Sequence, residues 1–433
     1  MRIVVRGLLA ASLIACGNSP APLDAGRDAA GADAAIDAAL DGGIDAGPRP
    51  DAGPPPPPPS EPGLHDVAIT DTRLIVPSTG LPPETPAMRS NNNLDVIRHD
   101  GRVFLAWRTA PNHFAGPDTV IHVASSTDET SWRHETSYTL GTDLREPRFL
   151  SIGGSLFLYV SILGTDRLAF EPMGVRAAER RADGTWTGLE DIGLPGYIAW
   201  RTRTERGTPY MTAYVGGEHI YRFDGLPLSI DLLTTTDGRA WVPVDPARRT
   251  IYMGGGSETD FAIGDDGTLF GVIRNEAGDD RGLGSMVCRA PAGDLANWTC
   301  RSDPKKYDSP LMFWHDGEAY LIGRRNVNET GNFDVMQGRT VVARALMSAT
   351  DYWTHPKRCA IWRYVQGEDR IAFIADLPSR GDTCFPAWIA GESADEVILY
   401  DYSSPIDGPD VSWLDGQLGD TYIYRHVLRF TRR

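Results

Sequence analysis

Residues 64–433 predict an all-β fold, a six-bladed β-propeller, behind a secretion signal and an unstructured tether. Three observations carry this. Past Leu64 there is little helical periodicity. Short alternating runs rich in β-branched and aromatic residues dominate instead, such as Arg102-Val-Phe-Leu-Ala-Trp107 and Ser155-Leu-Phe-Leu-Tyr-Val160, bounded by Gly and Asp. Hairpin signals recur at His99-Asp100-Gly101, Ile152-Gly153-Gly154, Glu205-Arg206-Gly207, Asp265-Asp266-Gly267, His315-Asp316-Gly317 and Ala390-Gly391-Glu392, and their glycines are spaced by 53, 53, 60, 50 and 74 residues. An Asp followed closely by a Trp marks a second turn in several units: Asp128 with Trp132, Asp237 with Trp241, Asp294 with Trp298, and more loosely Asp183 with Trp186 and Asp351 with Trp353. Such an Asp bonds its own turn while the Trp packs between sheets, so these residues are scaffold. Six units with room for four strands each add up to six blades.

Taken in order, the chain opens on an address. Arg2 and Arg6 precede an apolar stretch from Leu8 to Ala15, too short to span a bilayer. Its Leu13-Ile14-Ala15-Cys16 ending resembles a bacterial lipoprotein box, which implies cleavage before Cys16 and lipidation of it. Gly17 after the Cys resembles the pattern of lipoproteins sent to the outer membrane, so the expected location is exported and lipid-anchored there, on the periplasmic face or the cell surface. Residues 17–63 are Ala, Asp, Gly and Pro with no aromatic residue and almost no large aliphatic, ending in Pro54–Pro59. That composition cannot offset chain entropy by burial and reads as a self-repelling tether with a stiff polyproline end.

Of the net charge of -16, the signal contributes +2 and the tether -6, leaving -12 on the body. A negative body disfavours nucleic acid and gives no general attraction to anionic membranes, while a basic pocket for an acidic ligand stays open. With Cys16 assigned to the lipid, Cys288, Cys300, Cys359 and Cys384 remain, an even number in an exported chain. Three connectivities exist, and Cys288 with Cys300, which flank one turn, plus Cys359 with Cys384 is favoured. No Cys-x-x-Cys motif or His cluster suggests a metal. The last blade is expected to close through Thr421–Phe430, beside an N-terminal strand near Leu74-Ile-Val76.

Propeller geometry places the residues entering each innermost strand and those ending each second strand on one face, around the axis. Entrances carry Asn91, Asn92 and Asn93, Arg145-Glu146, Trp200-Arg201, Glu258 and Asp260, Asp308, and Asp382-Thr383. Second-strand ends carry Arg108, Tyr159, Tyr214, Arg274, Arg324 and Tyr402. Charges at equivalent positions in most blades suit a ligand site, because a packing role does not ask for buried charge. Blade-to-blade ion pairs around a water-filled channel are the competing account.

The turns look like shortened Asp boxes of sialidases. The order of Asp95-Val-Ile-Arg with Ala106-Trp-Arg108, Leu144-Arg-Glu-Pro147, Trp200-Arg201, Glu258-Thr-Asp-Phe with Val272-Ile-Arg274, Gly323-Arg324, Leu377–Thr383 and Tyr402-Ser-Ser404 resembles bacterial sialidase-like propellers. That resemblance implies an arginine cluster for a sugar carboxylate, a Tyr nucleophile activated by a neighbouring Glu, and an Asp acid/base. Carried over, Glu258 and Arg274 look like the family's Glu and second arginine, Arg324 the third arginine, and Tyr402 the nucleophile. Asp118 in the loop after Arg108 is then the acid/base, with His113 able to replace it. Arg108, Arg145, Arg201, Asp308 and Asp382 complete the expected substrate contacts. One departure stands out: the family's opening Arg-Ile-Pro is here Asn91-Asn-Asn93, so the first arginine of the triad is missing.

The expectation is therefore a tethered glycoside hydrolase removing a terminal acidic sugar, needing no cofactor or metal. Its partners are a glycan substrate or ligand and, through the N-terminal lipid only, a membrane, and the protein is expected to be a monomer that does not bind nucleic acid. The alternatives are a non-catalytic glycan- or protein-binding propeller, or an arabinanase-like hydrolase of neutral polysaccharide relying on carboxylates.

Overall fold

The computed structural model describes residues 54–433 apart from 168, 223 and 336–338. The signal 1–16 with Cys16, and the tether up to residue 53, lie outside the described residues. The strands form six antiparallel sheets in a propeller, one sheet per predicted unit. Blade 1 contains Ser90–His99, Arg102–Ala110, Val120–Ser126 and Arg133–Tyr138; blade 2 contains Asp143–Ile152, Ser155–Leu163, Pro172–Arg180 and Glu190–Pro195. In blade 3, Ile198–Glu205, Thr208–Val215 and Leu228–Thr234 are followed by two short outer strands, Val242–Pro243 and Thr250–Gly254, that both pair with the third strand. Blade 4 runs Thr259–Ile263, Leu269–Asp279, Gly282–Ala290 and Thr299–Asp303, and blade 5 runs Asp308–His315, Glu318–Asn326, Lys357–Val365 and Arg370–Asp376. Blade 6 joins Ala387–Ala390, Glu396–Ser403 and Tyr422–Arg432 to the N-terminal strand His65–Val76. That strand pairs from His65 with Arg432 through to Val76 with Ile423, so the ring closes where expected, over twelve residues rather than three.

All six predicted turns join the first and second strands of their blades. In four, both central residues have positive φ: Asp100 and Gly101, Gly153 and Gly154, Arg206 and Gly207, Asp316 and Gly317. This is the turn geometry whose twist matches a tight hairpin. The second strands are buried almost throughout, because each sheet is covered by a blade on either side; a continuous apolar run such as Val103–Trp107 follows from that.

The Asp-Trp turns join third and fourth strands. Asp128 accepts hydrogen bonds from the amides of Thr130 and Ser131, and Asp237 from those of Arg239 and Ala240. Trp132 meets Tyr400 of blade 6 edge-on at 6.4 Å, and Trp241 meets Tyr159 of blade 2 at 5.6 Å. Gly238 has to be glycine: its φ is +72° and an added Cβ would sit 2.6 Å from the Phe157 ring.

Three expectations need correction. Tyr159 is not axial, for its hydroxyl donates to the Gly238 carbonyl at 2.7 Å, between blades 2 and 3. Asp351 and Trp353 belong not to a turn but to a helix, α1 (Val341–Thr354), inserted between the second and third strands of blade 5. A second helix, α2 (Trp413–Leu418), occupies the same place in blade 6, and Tyr352 and Trp413 join the two edge-on at 5.6 Å. The tether boundary at residue 63 falls slightly late. Glu61 already donates its amide to Phe373 and pairs with Arg363 and Arg370 of blade 5 at 2.9 and 2.6 Å.

The two disulfides are Cys288–Cys300, across the third and fourth strands of blade 4, and Cys359–Cys384, from the third strand of blade 5 to the entrance of blade 6.

Candidate functional site

The innermost strands do not start as regular ladders. Register shifts fall between Asn92 and Leu94, Arg145 and Arg148, Ala199 and Arg201, and Asp308 and Leu311. Asn93, Glu146, Ser309 and Cys384 stand in the left-handed region, with φ of 39°, 51°, 51° and 77°. These four bulges break the in-out alternation and turn neighbouring polar side chains toward the axis. Left-handed backbone is costly for Glu, Ser and Cys, and strain of this kind concentrates at functional sites.

The side chains so aimed form a chain of contacts across blades 4, 5, 6 and 1. Arg274 Nη1 lies 2.8 Å from Glu258, 3.2 Å from Glu276 and 3.8 Å from Asp308. Asp308 accepts from Arg324 Nη1 at 3.2 Å and from the Tyr352 hydroxyl of α1, and it faces Lys306 at 3.3 Å. Arg324 Nη2 donates to the Tyr402 hydroxyl at 3.3 Å, and that hydroxyl donates to Asp382 Oδ1 at 2.8 Å. Asp382 Oδ2 sits 2.5 Å from Nδ1 of His113, which comes from the blade 1 loop. Glu258, Arg274, Arg324 and Tyr402 are thus brought together, as are Asp308 and Asp382. The carboxylate on Tyr402 is Asp382, however, not Glu258, whose oxygens face Arg274 and the Ser309 amide at 2.6 Å.

The other predicted residues divide. Arg108 is fully buried and commits all five N–H groups: to Asp143 at 3.1 and 2.9 Å, to Asn92, and to the carbonyls of Asn112 and Phe114. It holds the loop and offers no fork to a ligand. Arg145 donates Nε to Asp143 and Nη2 to the His113 carbonyl, and Nη1 has no partner among the described residues. Arg274 likewise keeps Nη2 without one, its Nε being held by Ser257. Arg201 donates to the Pro310 carbonyl and lies beneath the ring beside Arg148, which stacks 4.4 Å over Phe385. Burial, and then the like charge of Arg148, push Arg201 down to about 9. These two arginines with Trp200 and Phe385 fill the axis below the site. Asp118 stays exposed in its loop and joins none of these contacts.

Sequence reasoning passed over several neighbours. Glu146 accepts from Asn93 at 3.1 Å, and Tyr221, 43% exposed, places its hydroxyl within the field of Glu276, Arg274 and Glu258. Glu276 pairs with Lys306 at 2.8 Å. Glu146 was visible as a strand entrance. Tyr221, which follows a short turn of helix in the connection after Val215, carried no signal.

Burial dominates the electrostatics. It pushes Glu258 up to about 7, against the pull of Arg274 and with a further push from Asp308 and Glu146. Glu146 is raised for the same first reason. Burial opposes charge on Asp382 too, but His113, Arg324 and Tyr402 outweigh it and hold that carboxyl below its usual range. His113 is pushed down, by burial first and then by Arg145 and Arg108. The arrangement is an ionised Asp382 between the His113 ring and the Tyr402 phenol. Among the described residues, the one cluster with metal-ligand spacing is Cys359, Cys384 and Asp401, and its two sulfurs are spent on the disulfide.

No family model matches the sequence, and no curated protein does. Solved structures do match. A protein of unknown function from Dyadobacter fermentans aligns with a TM-score of 0.57 and 13% identity over 84% of this chain and 99% of its own. Trypanosoma rangeli sialidase, in complex with 2,3-difluorosialic acid, aligns with a TM-score of 0.51 and 13% identity over 79% of this chain, and this chain spans 54% of that one. The phage phi92 endosialidase gives 0.50 and 10% over 86% of this chain and 70% of its own. At such identities the likeness concerns architecture, and the chain is a six-bladed β-propeller with a sialidase-like fold.

Proposed function

We propose that the protein is a surface-tethered glycoside hydrolase that removes a terminal acidic sugar, with Tyr402 as nucleophile. The observation that carries this reading is the Tyr402 hydroxyl, held 2.8 Å from an ionised Asp382 and 3.3 Å from Arg324. A buried phenol is a poor nucleophile until a base takes its proton, and Asp382 is that base. As Tyr402 Oη bonds to the anomeric carbon and the glycosidic C–O bond breaks, the phenol proton passes to Asp382 Oδ1. Arg324 steadies the charge that develops on Oη. Arg145 and Arg274 retain N–H groups for a sugar carboxylate, and Asp308 fixes Arg274 and Arg324 relative to each other. The resemblance gives the acid/base to Asp118.

Lipid anchoring at Cys16 remains part of this reading. Its support is the Leu13-Ile14-Ala15-Cys16 ending of the apolar stretch.

Hydrolysis of a fluorogenic sialoside tests the proposal. The wild type turns over and Tyr402→Phe does not; equal rates for the two refute it. One observation favours a second reading, a non-catalytic glycan-binding propeller: Tyr402 is 1% exposed, and Arg108 and Arg324 have every N–H group engaged within the protein. Glycan binding left unchanged by Glu258→Gln and Tyr402→Phe, with no product formed, selects that reading.

A further inference from the structure

We infer that His113, not Asp118, is the acid/base residue of this site, oriented by Asp382; the inference rests on the hydrolase reading above. An ionised carboxylate only accepts hydrogen bonds, so the 2.5 Å contact with Asp382 Oδ2 puts the ring proton on Nδ1. Asn92 Nδ2 lies 3.1 Å from the same nitrogen and gives one of its two N–H groups to Ser90 Oγ. In the neutral ring the second nitrogen, Nε2, then carries the lone pair, and in the protonated ring it carries the transferable proton. It has no partner among the described residues, and the side chain keeps 14% of its surface open. A histidine fixed through Nδ1 by a buried Asp, with Nε2 left free, is arranged for proton transfer at Nε2. The ring lies 6.2 Å from that of Tyr402, centre to centre, so one carboxylate holds both the nucleophile and the acid/base. Asp118 has no comparable anchor: it is exposed and makes no contact with Tyr402 or Asp382.

The protons balance. In the first step protonated His113 gives its Nε2 proton to the departing glycosidic oxygen, while Tyr402 gives its own to Asp382 Oδ1 and bonds to the sugar. In the second, neutral Nε2 takes a proton from the attacking water, the tyrosyl C–O bond breaks, and Asp382 returns its proton to Tyr402. Every group ends as it began.

The charged and titratable groups facing His113 are Asp382 and Tyr402 from blade 6, Arg108 from blade 1 and Arg145 from blade 2. Burial and the two arginines favour the neutral ring. Turnover of substrates that need an acid therefore rises as pH falls from neutrality.

The decisive measurement compares two glycosides of the same sugar, one with an activated aryl leaving group and one with a poor alkyl or sugar leaving group. His113→Ala should lose roughly 100-fold or more in kcat/KM on the poor leaving group and at most about tenfold on the aryl glycoside, in line with general acid catalysis. Added imidazole should restore part of the loss. Asp118→Ala should keep the wild-type ratio between the two substrates. Equal losses on both by His113→Ala, or the leaving-group pattern appearing in Asp118→Ala, overturn the inference. If His113→Ala does not fold, the nitrogen chemical shifts of His113 in the wild type decide: a proton on Nδ1 supports the assignment and a proton on Nε2 alone overturns it. A wild type inactive on both glycosides sinks the hydrolase reading, and this inference with it. The other adverse outcomes sink only the role of His113.

Discussion

The two disulfides allow the site to be separated from general stability. Cys288–Cys300 spans 12 residues within one hairpin, and Cys359–Cys384 spans 25 residues and crosses from blade 5 to blade 6. Loop-closure entropy assigns them about 3 and about 3.5 kcal/mol. Spread over the unfolding entropy of a body this size, either loss lowers the thermal midpoint by only about 4 to 5 °C. The local consequences differ. Thr383 and Cys384 offer their carbonyls to Arg324, the Cys384 amide donates to the Tyr402 carbonyl, and the Ser404 amide donates to that of Asp382. Removing Cys359–Cys384 frees this segment, whereas removing Cys288–Cys300 leaves it untouched. We predict similar midpoint shifts for Cys288→Ala/Cys300→Ala and Cys359→Ala/Cys384→Ala. Faster hydrogen exchange at amides 384 and 404, together with reduced sialoside hydrolysis, should appear in the second pair alone. Unchanged protection of those amides without Cys359–Cys384, or their exposure on loss of Cys288–Cys300, would refute the reasoning.

Two pH effects follow from buried groups. Glu258, pushed up to about 7 from an ordinary value near 4.5, binds its proton more tightly folded than unfolded. Its contribution to stability is therefore present at low pH and lost as pH rises through about 7. Thermal melts of Glu258→Gln should gain on the wild type between pH 5 and pH 8, and a constant difference over that range contradicts the assignment. His426, on the closing strand of blade 6 with Nδ1 3.0 Å from Thr72 Oγ1, is pushed down by burial to about 4. Its stabilisation is complete above pH 6.5 and is lost as pH falls through 4, at a cost of about 3 kcal/mol when protonated. Hydrogen exchange at pH 4 should open His65–Val76 before the other blades, and His426→Gln should suppress that; uniform opening of all six blades would show that the seam is not the weak point.

Much of the fold was legible because its signals are local. A hairpin needing two left-handed residues selects Asp-Gly or Gly-Gly, and an Asp accepting from its own turn sits a fixed few residues before the Trp that packs across blades. The axial positions of Glu258, Arg274, Arg324 and Tyr402 followed from counting strands. What escaped were contacts made across the ring. Arg108 looked like a ligand arginine, and only the position of Asp143 at the start of blade 2 shows its fork to be spent. The pairing of Tyr402 with Asp382 depends on the left-handed backbone of Cys384 at the entrance of blade 6, which no spacing reveals. Both helices were missed, α1 because Thr340 as its cap resembles any loop residue, and α2 although Ser412-x-x-Asp415 is a recognisable start signal.

The arginine surplus at the axis of a body carrying -12 also takes on a different meaning. Arg108 and Arg324 are balanced by Asp143, Asp308 and Asp382 and serve to fix loops and carboxylates, which is what buried pairs do well even when they add little stability. The donors left over belong to Arg145 and Arg274, and each of these guanidiniums shares a neighbour in the half-exposed Tyr221. An anion arriving there competes with Glu258 for Arg274. Because burial already holds Glu258 near neutrality, displacement leaves it protonated rather than as an unpaired buried charge. The site can therefore exchange an internal carboxylate for a ligand's at small cost, which a fully ionised ring could not do.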